Sequence, residues 1–355
     1  MDIYKKFFKD RNFYYTPVGD DISKDMKAVK DFNINAVLIA YHPDKQKDFI
    51  RKGIHYKENN VMVIADSGGF YLANKPKEAF KFSPLDVLRA QKKASHIGII
   101  LDLPHLNNTF KESINYTRKS VKIYAKYKGD YPVLLVAHNS DIKSLNIWVD
   151  TVFSEDFNKF HGVAVTGVRL PTAEFQSINS FWVHIINFAY FLRFKHIKHI
   201  HLLAASSLKI FALLPFLSQF VDYITLDSST PSRYRAMKVF QDFILNVQYN
   251  IGRNKKQDEQ FIYPCNCPAC QRRNKDLKKN WLEFHTLWWY ENYIQSWRNL
   301  FLNNKEYYIK TLNNYFEGFG FKYIQAVLDF VSEAKELPEN YDFNLLFRKY
   351  LPYLK

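Results

Sequence analysis

Val61-Met-Val-Ile-Ala-Asp-Ser-Gly-Gly-Phe70 is the stretch on which the fold assignment rests, because five apolar residues in a row end in an aspartate, a serine and two glycines. A continuous apolar run, rather than an alternating one, is typical of a strand covered on both faces of a parallel sheet. Seven similar runs precede and follow it, at 13–17, 36–41, 98–103, 132–137, 162–166, 200–204 and 223–226. The sequence therefore predicts eight buried, parallel strands.

The spacing of these runs indicates how the strands are connected. Their first residues lie 23–38 residues apart, and most intervals are long enough for a crossover helix, such as those predicted at 84–95 and 109–128. Eight strand–helix units predict an α/β fold of the (β/α)8 or TIM barrel type. An open, doubly wound sheet is the alternative, but no glycine-rich phosphate-binding turn follows the first strand.

The character of the chain changes after residue 240. A polar segment at 254–260 is followed by a cluster of cysteines, and then by helical stretches rich in Trp, Tyr and Lys, such as 282–301 and 323–336. We expect a (β/α)8 catalytic barrel over residues 1–250 and a zinc-binding, helical C-terminal subdomain over residues 251–355.

The composition narrows the choice of partner and compartment. The chain has 355 residues, and 50 Lys and Arg against 35 Asp and Glu give it a formal net charge of +15. Such an excess favours a polyanionic partner, since basic side chains replace the counterions condensed on a phosphate backbone. The longest apolar stretches, 181–192 and 210–221, are too short and too interrupted to cross a bilayer, and the N-terminus has no apolar signal segment. We expect a cytoplasmic protein with no membrane partner.

The cysteines form the strongest local signal. All three lie in Cys265-Asn-Cys267-Pro-Ala-Cys270, an arrangement that excludes a disulfide framework and suits soft tetrahedral coordination. His285, on the next predicted helix, is the expected fourth ligand, although a lone histidine there would more often be a core residue. A closed Cys3His set leaves no open position, so we expect a structural Zn²⁺. Four other histidines, at 161, 184, 196 and 199, are expected to have no functional role.

Three aspartates stand at the carboxyl ends of predicted strands, namely Asp66, Asp102 and Asp227. In a barrel these ends open on one face, where catalytic groups gather. Carboxylates meeting there could supply a nucleophile, a proton-transfer group and a base-recognising acceptor, as in glycosyl transfer through a covalent intermediate. The alternative is that each aspartate merely caps the helix that follows. Gly68 and Gly69 favour a binding site, because glycines let the backbone approach a flat ligand closely.

Taken together, these motifs resemble those of the tRNA-guanine transglycosylases and their DNA-acting relatives. The matching segments, in chain order, are Tyr15-Thr-Pro17-Val-Gly19, Tyr41-His42, Asp66-Ser-Gly-Gly-Phe70, Asp102, Thr166-Gly167-Val168, Asp227-Ser-Ser-Thr-Pro231-Ser-Arg233 and the cysteine cluster with His285-Thr-Leu287. Each match alone is weak. Their shared order over most of the chain makes the resemblance specific.

The resemblance implies an enzyme that exchanges guanine for a 7-deazaguanine (preQ0-like) base without hydrolysis. Asp227 would attack C1′ of a target nucleoside and hold the sugar covalently, while Asp66 moves the required protons. Asp102 would accept hydrogen bonds from the purine edge. The other substrate-binding residues implied are Ser67, Gly68, Gly69, Phe70, His138, Gly167 and Leu203. Phe70 and Leu203 would stack on a base that has left its own stack.

Several positions depart from the family pattern and bear on the substrate. Tyr71 and His138 stand where the family has glutamines, and the segment after Thr166 lacks the family's longer glycine-rich run with its glutamate. These departures favour the DNA-acting branch over tRNA, which stays the alternative. Further alternatives are a catalytically silent nucleic-acid-binding subunit and a barrel glycosylase that uses water.

Basic residues interleaved with aromatic ones predict a nucleic-acid surface. Arg233 and Arg235 follow Asp227 and are expected on the rim of the site, where they would contact phosphates without reading sequence. A second group surrounds the cysteine cluster and comprises Arg272, Arg273, Lys275, Lys278, Lys279, Trp281 and Arg298. Pairing with a second copy of the chain, or with accessory modification proteins, is left open.

Overall fold

Eight parallel strands form the centre of the protein. The computed structural model describes residues 3–19, 22, 26–74, 81–104, 109–138, 141–166, 180–251, 265–273, 275–277, 280–318 and 324–353. The strands are β1 (Phe13–Pro17), β2 (Ala36–Ala40), β3 (Met62–Asp66), β4 (Ile97–Ile99), β5 (Val133–Ala137), β6 (Gly162–Thr166), β7 (His199–Leu203) and β8 (Tyr223–Ser228). Their order in the sheet is β1-β8-β7-β6-β5-β4-β3-β2.

The sheet closes on itself through its two edge strands. Val18 and Leu38, near the ends of β1 and β2, form a parallel bridge, and the Gly19 N–H donates to the Leu38 carbonyl at 2.7 Å. Eight parallel strands that meet in this way make a nearly closed (β/α)8 barrel. The predicted barrel is confirmed, and the open doubly wound sheet is not the arrangement that forms.

Ten helices precede, connect and follow the strands among the described residues. They are α1 (Ile3–Phe7), α2 (Met26–Asp31), α3 (Gln46–Glu58), α4 (Gly69–Asn74), α5 (Pro84–Ala94), α6 (Phe110–Tyr127), α7 (Ile142–Ile147), α8 (Ser180–Leu192), α9 (Leu208–Leu217) and α10 (Thr230–Met237). Short 3-10 turns occupy Pro43–Lys45 and Ser154–Lys159, and a π-helical turn occupies Trp148–Phe153. Side-chain caps explain where the two predicted helices begin. Ser83 caps α5, and Thr109 and Glu112 form a capping box on α6.

The fourth strand is shorter than the run of apolar residues that predicts it. The strand covers Ile97–Ile99, so only the first two residues of the predicted run at 98–103 belong to it. Beyond it, the Leu103 N–H donates to Thr117 Oγ1 at 3.3 Å, and the Ser113 hydroxyl donates to the Leu103 carbonyl. Two polar side chains of α6 therefore form the hydrogen bonds to the Leu103 backbone that a neighbouring strand would form if β4 were longer. Asp102 lies in the segment that leaves the sheet, where it is buried.

The region after the barrel strands begins with a hairpin. It is formed by β9 (Val239–Asp242) and β10 (Val247–Asn250), which pair antiparallel. The helices that follow are α11 (Pro268–Gln271), α12 (Trp281–Asn303), α13 (Lys305–Glu317), α14 (Ile324–Glu336) and α15 (Phe343–Tyr350), with a 3-10 turn at Leu351–Tyr353. Helix α12 packs against α9 and α10 of the barrel. The domain boundary between residues 250 and 251 stays a prediction.

The two longest apolar stretches of the sequence are barrel helices covered on both sides. Helices α8 and α9 lie between the strands and the C-terminal helices, where the Tyr308 hydroxyl donates to the Ala212 carbonyl at 2.8 Å and the rings of Phe181 and Phe316 are 5.5 Å apart. A helix that is apolar all round is typical of such a doubly covered position. Within the described ranges, no helix has the length and apolar character needed to cross a bilayer.

Helix α1 covers the end of the barrel where the strands begin. Tyr4 stacks on Tyr223 at the start of β8 with ring centroids 4.3 Å apart, and Phe7 contacts His96 beside β4 at 4.9 Å. The Tyr14 hydroxyl of β1 donates to the Phe7 carbonyl at 2.6 Å. One end of the cylinder is thus closed by aromatic side chains, and the opposite end is the one left open.

A test of this packing concerns Gly53, in the middle of α3. A Cβ atom there would lie 2.1 Å from the Ala94 carbonyl oxygen of α5, so we expect Gly53→Ala to destabilise the protein by about 2 kcal/mol despite alanine's better helix propensity. Gly318→Ala is the matched control, because its Cβ would come no closer than 3.4 Å to another atom. Urea unfolding measures both. Equal stability of the two variants would contradict the close approach of α3 and α5.

Candidate active site and metal centre

The open end of the barrel contains a cavity of about 300 Å³, which is within the size range of small-molecule sites. The ends of all eight strands, or the turns after them, contribute to its wall. The lining residues are Val18, Leu38, Asp66, Phe70, Ile99, Asp102, Pro104, Val136, His138, Thr166, Leu203, Ala204, Asp227 and Ser229. The wall is mostly apolar, with three carboxylates and one imidazole, and it includes six of the residues that the sequence singled out.

Asp66 is the last residue of β3. Burial, together with the nearby charges of Asp102 and Asp227, raises the pKa of its carboxyl to about 7, and hydrogen bonds from the backbone N–H groups of Ser67 and Gly68 oppose part of this rise. A carboxyl with a pKa near neutrality exchanges its proton readily at physiological pH, which is the property required of a general acid and base. The electrostatics thus suit Asp66 to proton transfer.

Asp102 is held by two neighbours. Its Oδ1 accepts a hydrogen bond from the Ser67 hydroxyl at 3.1 Å, and its Oδ2 lies 2.5 Å from Nε2 of His138. Only 5% of Asp102 is exposed. Its close neighbour on the other side is Gly69, where a Cβ would come within 2.2 Å of Oδ1. Ser67, Gly69 and His138 therefore act on the position of this carboxylate.

The turn after β3 requires glycine. Gly68 has a φ of +81°, and a Cβ there would approach the Tyr41 carbonyl oxygen to 2.4 Å. The turn projects the Phe70 side chain to the cavity mouth, where it is 62% exposed although it is aromatic. Leu203, at the end of β7, lies on the same cavity wall. An exposed aromatic ring at a cavity mouth is suited to contact a flat ligand.

Asp227 lies on β8, and its carboxylate contacts a backbone N–H and a histidine ring. The Ala204 backbone N–H donates to its Oδ1 at 2.9 Å, and Nε2 of His201 lies 3.1 Å from the same oxygen. Ala204 has a φ of 56°, a left-handed conformation that alanine rarely adopts, and such strain tends to occur at functional sites. Among the described residues both hydrogen bonds reach Oδ1, which leaves Oδ2 available to a ligand.

The two arginines that were expected on the rim of the site contact other parts of the chain. Arg235 points towards the C-terminal region, where its Nε is 3.3 Å from the buried Glu283 and its guanidinium donates to Asn280 Oδ1 at 3.2 Å. Arg233 donates to Thr230 Oγ1 at 3.1 Å within α10. Neither arginine lines the cavity. Gly167 lies outside the described residues.

The basic residues around the cysteine cluster are partly engaged in contacts within the chain. Arg272 forms ion pairs with Asp31 and Asp276, at 2.9 and 2.5 Å, and Arg298 donates to the Asp10 carbonyl. Trp281 is buried, and Lys278 and Lys279 are not among the described residues. A nucleic-acid surface at this place stays a prediction.

His201 was missed by the sequence reasoning. It is fully buried on β7, and it contacts a carboxylate of the cavity. The signal was the His199-Ile-His201 spacing, which places two imidazoles on one face of a strand inside a barrel, where apolar side chains are the rule. The partner of these histidines is Thr225 on β8, and only the register of the two strands reveals it. From sequence alone, the two histidines resemble ordinary core residues.

The three cysteines and His285 converge on one point. Their ligand atoms all lie within 4.8 Å of one another, and Nδ1 of His285 is 3.8, 3.3 and 3.4 Å from the sulfurs of Cys265, Cys267 and Cys270. Tetrahedral bonds of ordinary Zn–S and Zn–N length would place sulfur and nitrogen about 3.6 Å apart. Nε2 of His285 lies 2.8 Å from the Gln241 carbonyl, which fixes the tautomer that turns a lone pair on Nδ1 towards the sulfurs. The four side chains thus form a candidate metal site.

Comparison with models of known protein families gives no match, and comparison with curated proteins gives none either. Among solved structures, the chain is similar to D-psicose 3-epimerase crystallised in the presence of D-fructose. The TM-score is 0.44 and the sequence identity is 10%, over 81% of this chain and 98% of that chain. Similarity at this level says nothing about function, so the assignment of the barrel rests on its own strand order.

The raised pKa of Asp66 has a consequence for stability. Between the ordinary pKa of an aspartate and pH 7 the native state binds more protons than the unfolded chain, so Asp66 lowers the stability as the pH rises through this interval. We expect Asp66→Asn to stabilise the protein by about 2 kcal/mol at pH 8, and by less at pH 5. Chemical denaturation at both pH values measures the difference. The exposed Asp222→Asn is the control, and an Asp66→Asn effect equal at both pH values would refute the assignment.

Proposed function

We propose that this protein is a nucleic-acid guanine transglycosylase, which exchanges guanine for a 7-deazaguanine base through a covalent aspartyl–sugar intermediate, with DNA as the substrate. The observation that supports this most is that Asp66, Asp102 and Asp227 line one cavity together with Phe70 and Leu203. The cavity thus contains a nucleophile, a proton-transfer group, an acceptor for a base edge and two side chains for its faces. These are the components that the sequence motifs imply.

In the first half of the reaction, Oδ2 of Asp227 attacks C1′ of the target nucleotide. The C1′–N9 bond breaks, and its electron pair leaves with guanine, which takes a proton from Asp66. The result is an ester bond between Asp227 and the sugar. The pKa of about 7 suits Asp66 to this step, because a substantial fraction of the side chain is protonated at neutral pH.

In the second half, the incoming 7-deazaguanine takes the place of the expelled base. Its N9–H gives up the proton to Asp66, and N9 attacks C1′ while the bond from C1′ to Asp227 breaks. The electron pair of that bond returns to the carboxylate, so Asp66 and Asp227 end the cycle as they began it. No redox cofactor takes part.

Recognition of the base falls to Asp102. A carboxylate has room for more than two hydrogen bonds, so Asp102 can accept from the ring and amino N–H groups of a purine while Ser67 and His138 hold it. Phe70 and Leu203 would then contact the two faces of the base. A target base must leave its stack to reach this cavity, as is usual for enzymes that act on bases.

The preference for DNA rests on sequence rather than on contacts. The net charge of +15 favours a polyanion of either kind. His138 replaces an amide of the tRNA enzymes beside the base-recognising carboxylate, and its hydrogen bond to Asp102 gives that carboxylate a different neighbour. We therefore propose DNA, rather than tRNA, as the substrate.

We further propose that the metal is Zn²⁺ and that its role is structural. Three thiolates and one imidazole complete a tetrahedron and leave no position for substrate. The ligands connect α11, the adjoining Cys265 and helix α12, and the Gln241 contact ties hairpin β9–β10 to the same centre. Metal binding would thus stabilise the region that packs against α9 and α10.

The metal proposal predicts one zinc ion per chain in the purified protein. His285→Ala should lower metal affinity at least about 10-fold and destabilise α12, because the fourth ligand and its contact with Gln241 are both lost. Elemental analysis and thermal unfolding measure the two effects. The exposed His55→Ala serves as control. Less than one metal per chain in the wild type, or full retention by His285→Ala, would contradict the ligand set.

The nucleophile is tested by incorporation of a labelled base. Wild-type protein should incorporate labelled guanine or preQ0 into DNA, and Asp227→Asn should reduce the rate at least about 1,000-fold because no ester can form. Asp222→Asn should retain wild-type activity. Mass spectrometry of protein trapped with substrate should locate the sugar on Asp227.

The same assay separates the alternatives. Incorporation into tRNA alone would leave the enzyme class intact and refute the preference for DNA. Release of guanine without incorporation would indicate a glycosylase that uses water. Binding of nucleic acid by wild type and Asp227→Asn alike, with neither incorporation nor release, would indicate a silent binding subunit.

A further inference from the structure

A line of buried polar side chains runs through the barrel from its closed end to Asp227. Nε2 of His201 lies 3.1 Å from Asp227 Oδ1, and its Nδ1 lies 2.8 Å from Thr225 Oγ1. The same hydroxyl is 2.7 Å from Nε2 of His199, whose Nδ1 is 3.2 Å from the Tyr4 hydroxyl of α1. His199, His201 and Thr225 have no exposed surface. Four hydrogen bonds thus connect α1 to the proposed nucleophile.

The register of two strands builds this line. His199 and His201 are two residues apart on β7 and so share a face, and Thr225 of β8 is the cross-strand partner of His201. The hydroxyl therefore lies between the two imidazoles. A barrel interior is normally filled by branched apolar residues, which would avoid the cost of burying these polar groups. Because burying these polar groups is costly, a continuous series of hydrogen bonds inside the barrel indicates that the side chains have a function.

With an ionised Asp227 and a neutral His201, the line has one consistent direction. Burial, together with the neighbouring His201, lowers the pKa of His199 well below its ordinary value, so that imidazole is neutral and carries one proton. An ionised Asp227 can only accept, so Nε2 of a neutral His201 must carry the proton and Nδ1 must accept from Thr225. The hydroxyl of Thr225 then accepts from Nε2–H of His199, and Nδ1 of His199 accepts from Tyr4. Each tautomer is thus set by its neighbour.

We propose that His201 is a positioning residue for Asp227, and that Tyr4, His199 and Thr225 hold it in the tautomer that donates from Nε2. The consequence for catalysis rests on the proposed transglycosylase function. His201 and the Ala204 N–H fix Oδ1 and thereby present Oδ2 to C1′. Hydrogen bonds to the ionised carboxylate also favour it as the leaving group in the second half of the reaction.

Other charged and titratable groups also face Asp227, and they oppose or modify this effect. Asp66 and Asp102 share the cavity and disfavour a further negative charge, and His138 lies beside Asp102. From β1, the buried Tyr15 donates to the Ser228 carbonyl next to Asp227. The replacement of His201 removes none of these groups, so we attribute a shift of the acid limb in that variant to the loss of the Nε2–H donor.

The test compares two replacements of His201 in the full-length protein. His201→Phe removes the donor, and we expect kcat to fall about 100-fold and the acid limb of the kcat/KM pH profile to rise by about one pH unit, with little change in KM. His201→Gln offers an amide N–H at the position of Nε2 and should recover at least about 10-fold of the loss. Thr225→Val should change kcat and the acid limb in the same direction as His201→Phe but by less, because His201 stays in place and can change tautomer.

His96→Phe is the control for the loss of an imidazole within the barrel. It removes a side chain that accepts from the Val63 N–H, away from the cavity, and should leave the pH profile unchanged. Circular dichroism and metal content check that each variant is folded. A folded His201→Phe with kcat within threefold of wild type and an unshifted acid limb would overturn the proposal.

A second measurement does not depend on activity. In histidine ¹⁵N-labelled wild-type protein at pH 7, His199 and His201 should both be neutral Nε2–H tautomers, and Thr225→Val should alter the signal of His201. An imidazolium or an Nδ1–H tautomer at His201 would refute the proposal that the line holds His201 as the neutral Nε2–H tautomer. The expected tautomers in a protein that fails to exchange guanine would instead count against the proposed function alone.

Discussion

The closing contact between β1 and β2 is the constraint on which the site depends. Eight parallel strands place their carboxyl ends on one rim only if the sheet closes, and the bridge between Val18 and Leu38 with the Gly19–Leu38 hydrogen bond closes it. Asp66 and Asp227 belong to strands on different sides of that seam. In an open sheet they would lie towards opposite edges. The closure converts separate strand ends into one cavity.

The cavity in turn brings like charges together. Burial and the charges of Asp102 and Asp227 oppose ionisation of Asp66. The other two carboxyls have side-chain or backbone hydrogen-bond partners of different kinds. Asp102 has a hydroxyl and an imidazole as neighbours, and Asp227 has a backbone N–H and an imidazole. The three carboxyls thus share one cavity but differ in their hydrogen-bond partners.

Much of the architecture was predictable because its signals are local. Each strand is a continuous apolar run, and Ser83 and Thr109 mark the starts of helices. The three cysteines lie within one short segment, 265–270. The early end of β4 was not predictable, since it depends on Ser113 and Thr117 reaching Leu103 from α6. The direction of Arg235 and the role of His201 depend on partners that are distant in sequence, Glu283 and Thr225, which only the folded arrangement brings near.

Helix α1 and strand β1 also bear on how the chain matures during synthesis. Both find their main partners on β7 and β8, through Tyr4 with Tyr223 and through the pairing of β1 with β8. During translation, residues 3–17 leave the ribosome long before residues 199–228. The aromatic side chains of 3–17 therefore lack their native neighbours until the later strands have been made. Contacts of such long sequence separation are slow to form and leave apolar surface open to aggregation. Nascent chains of this protein should therefore depend on chaperones until the last barrel strand has been translated.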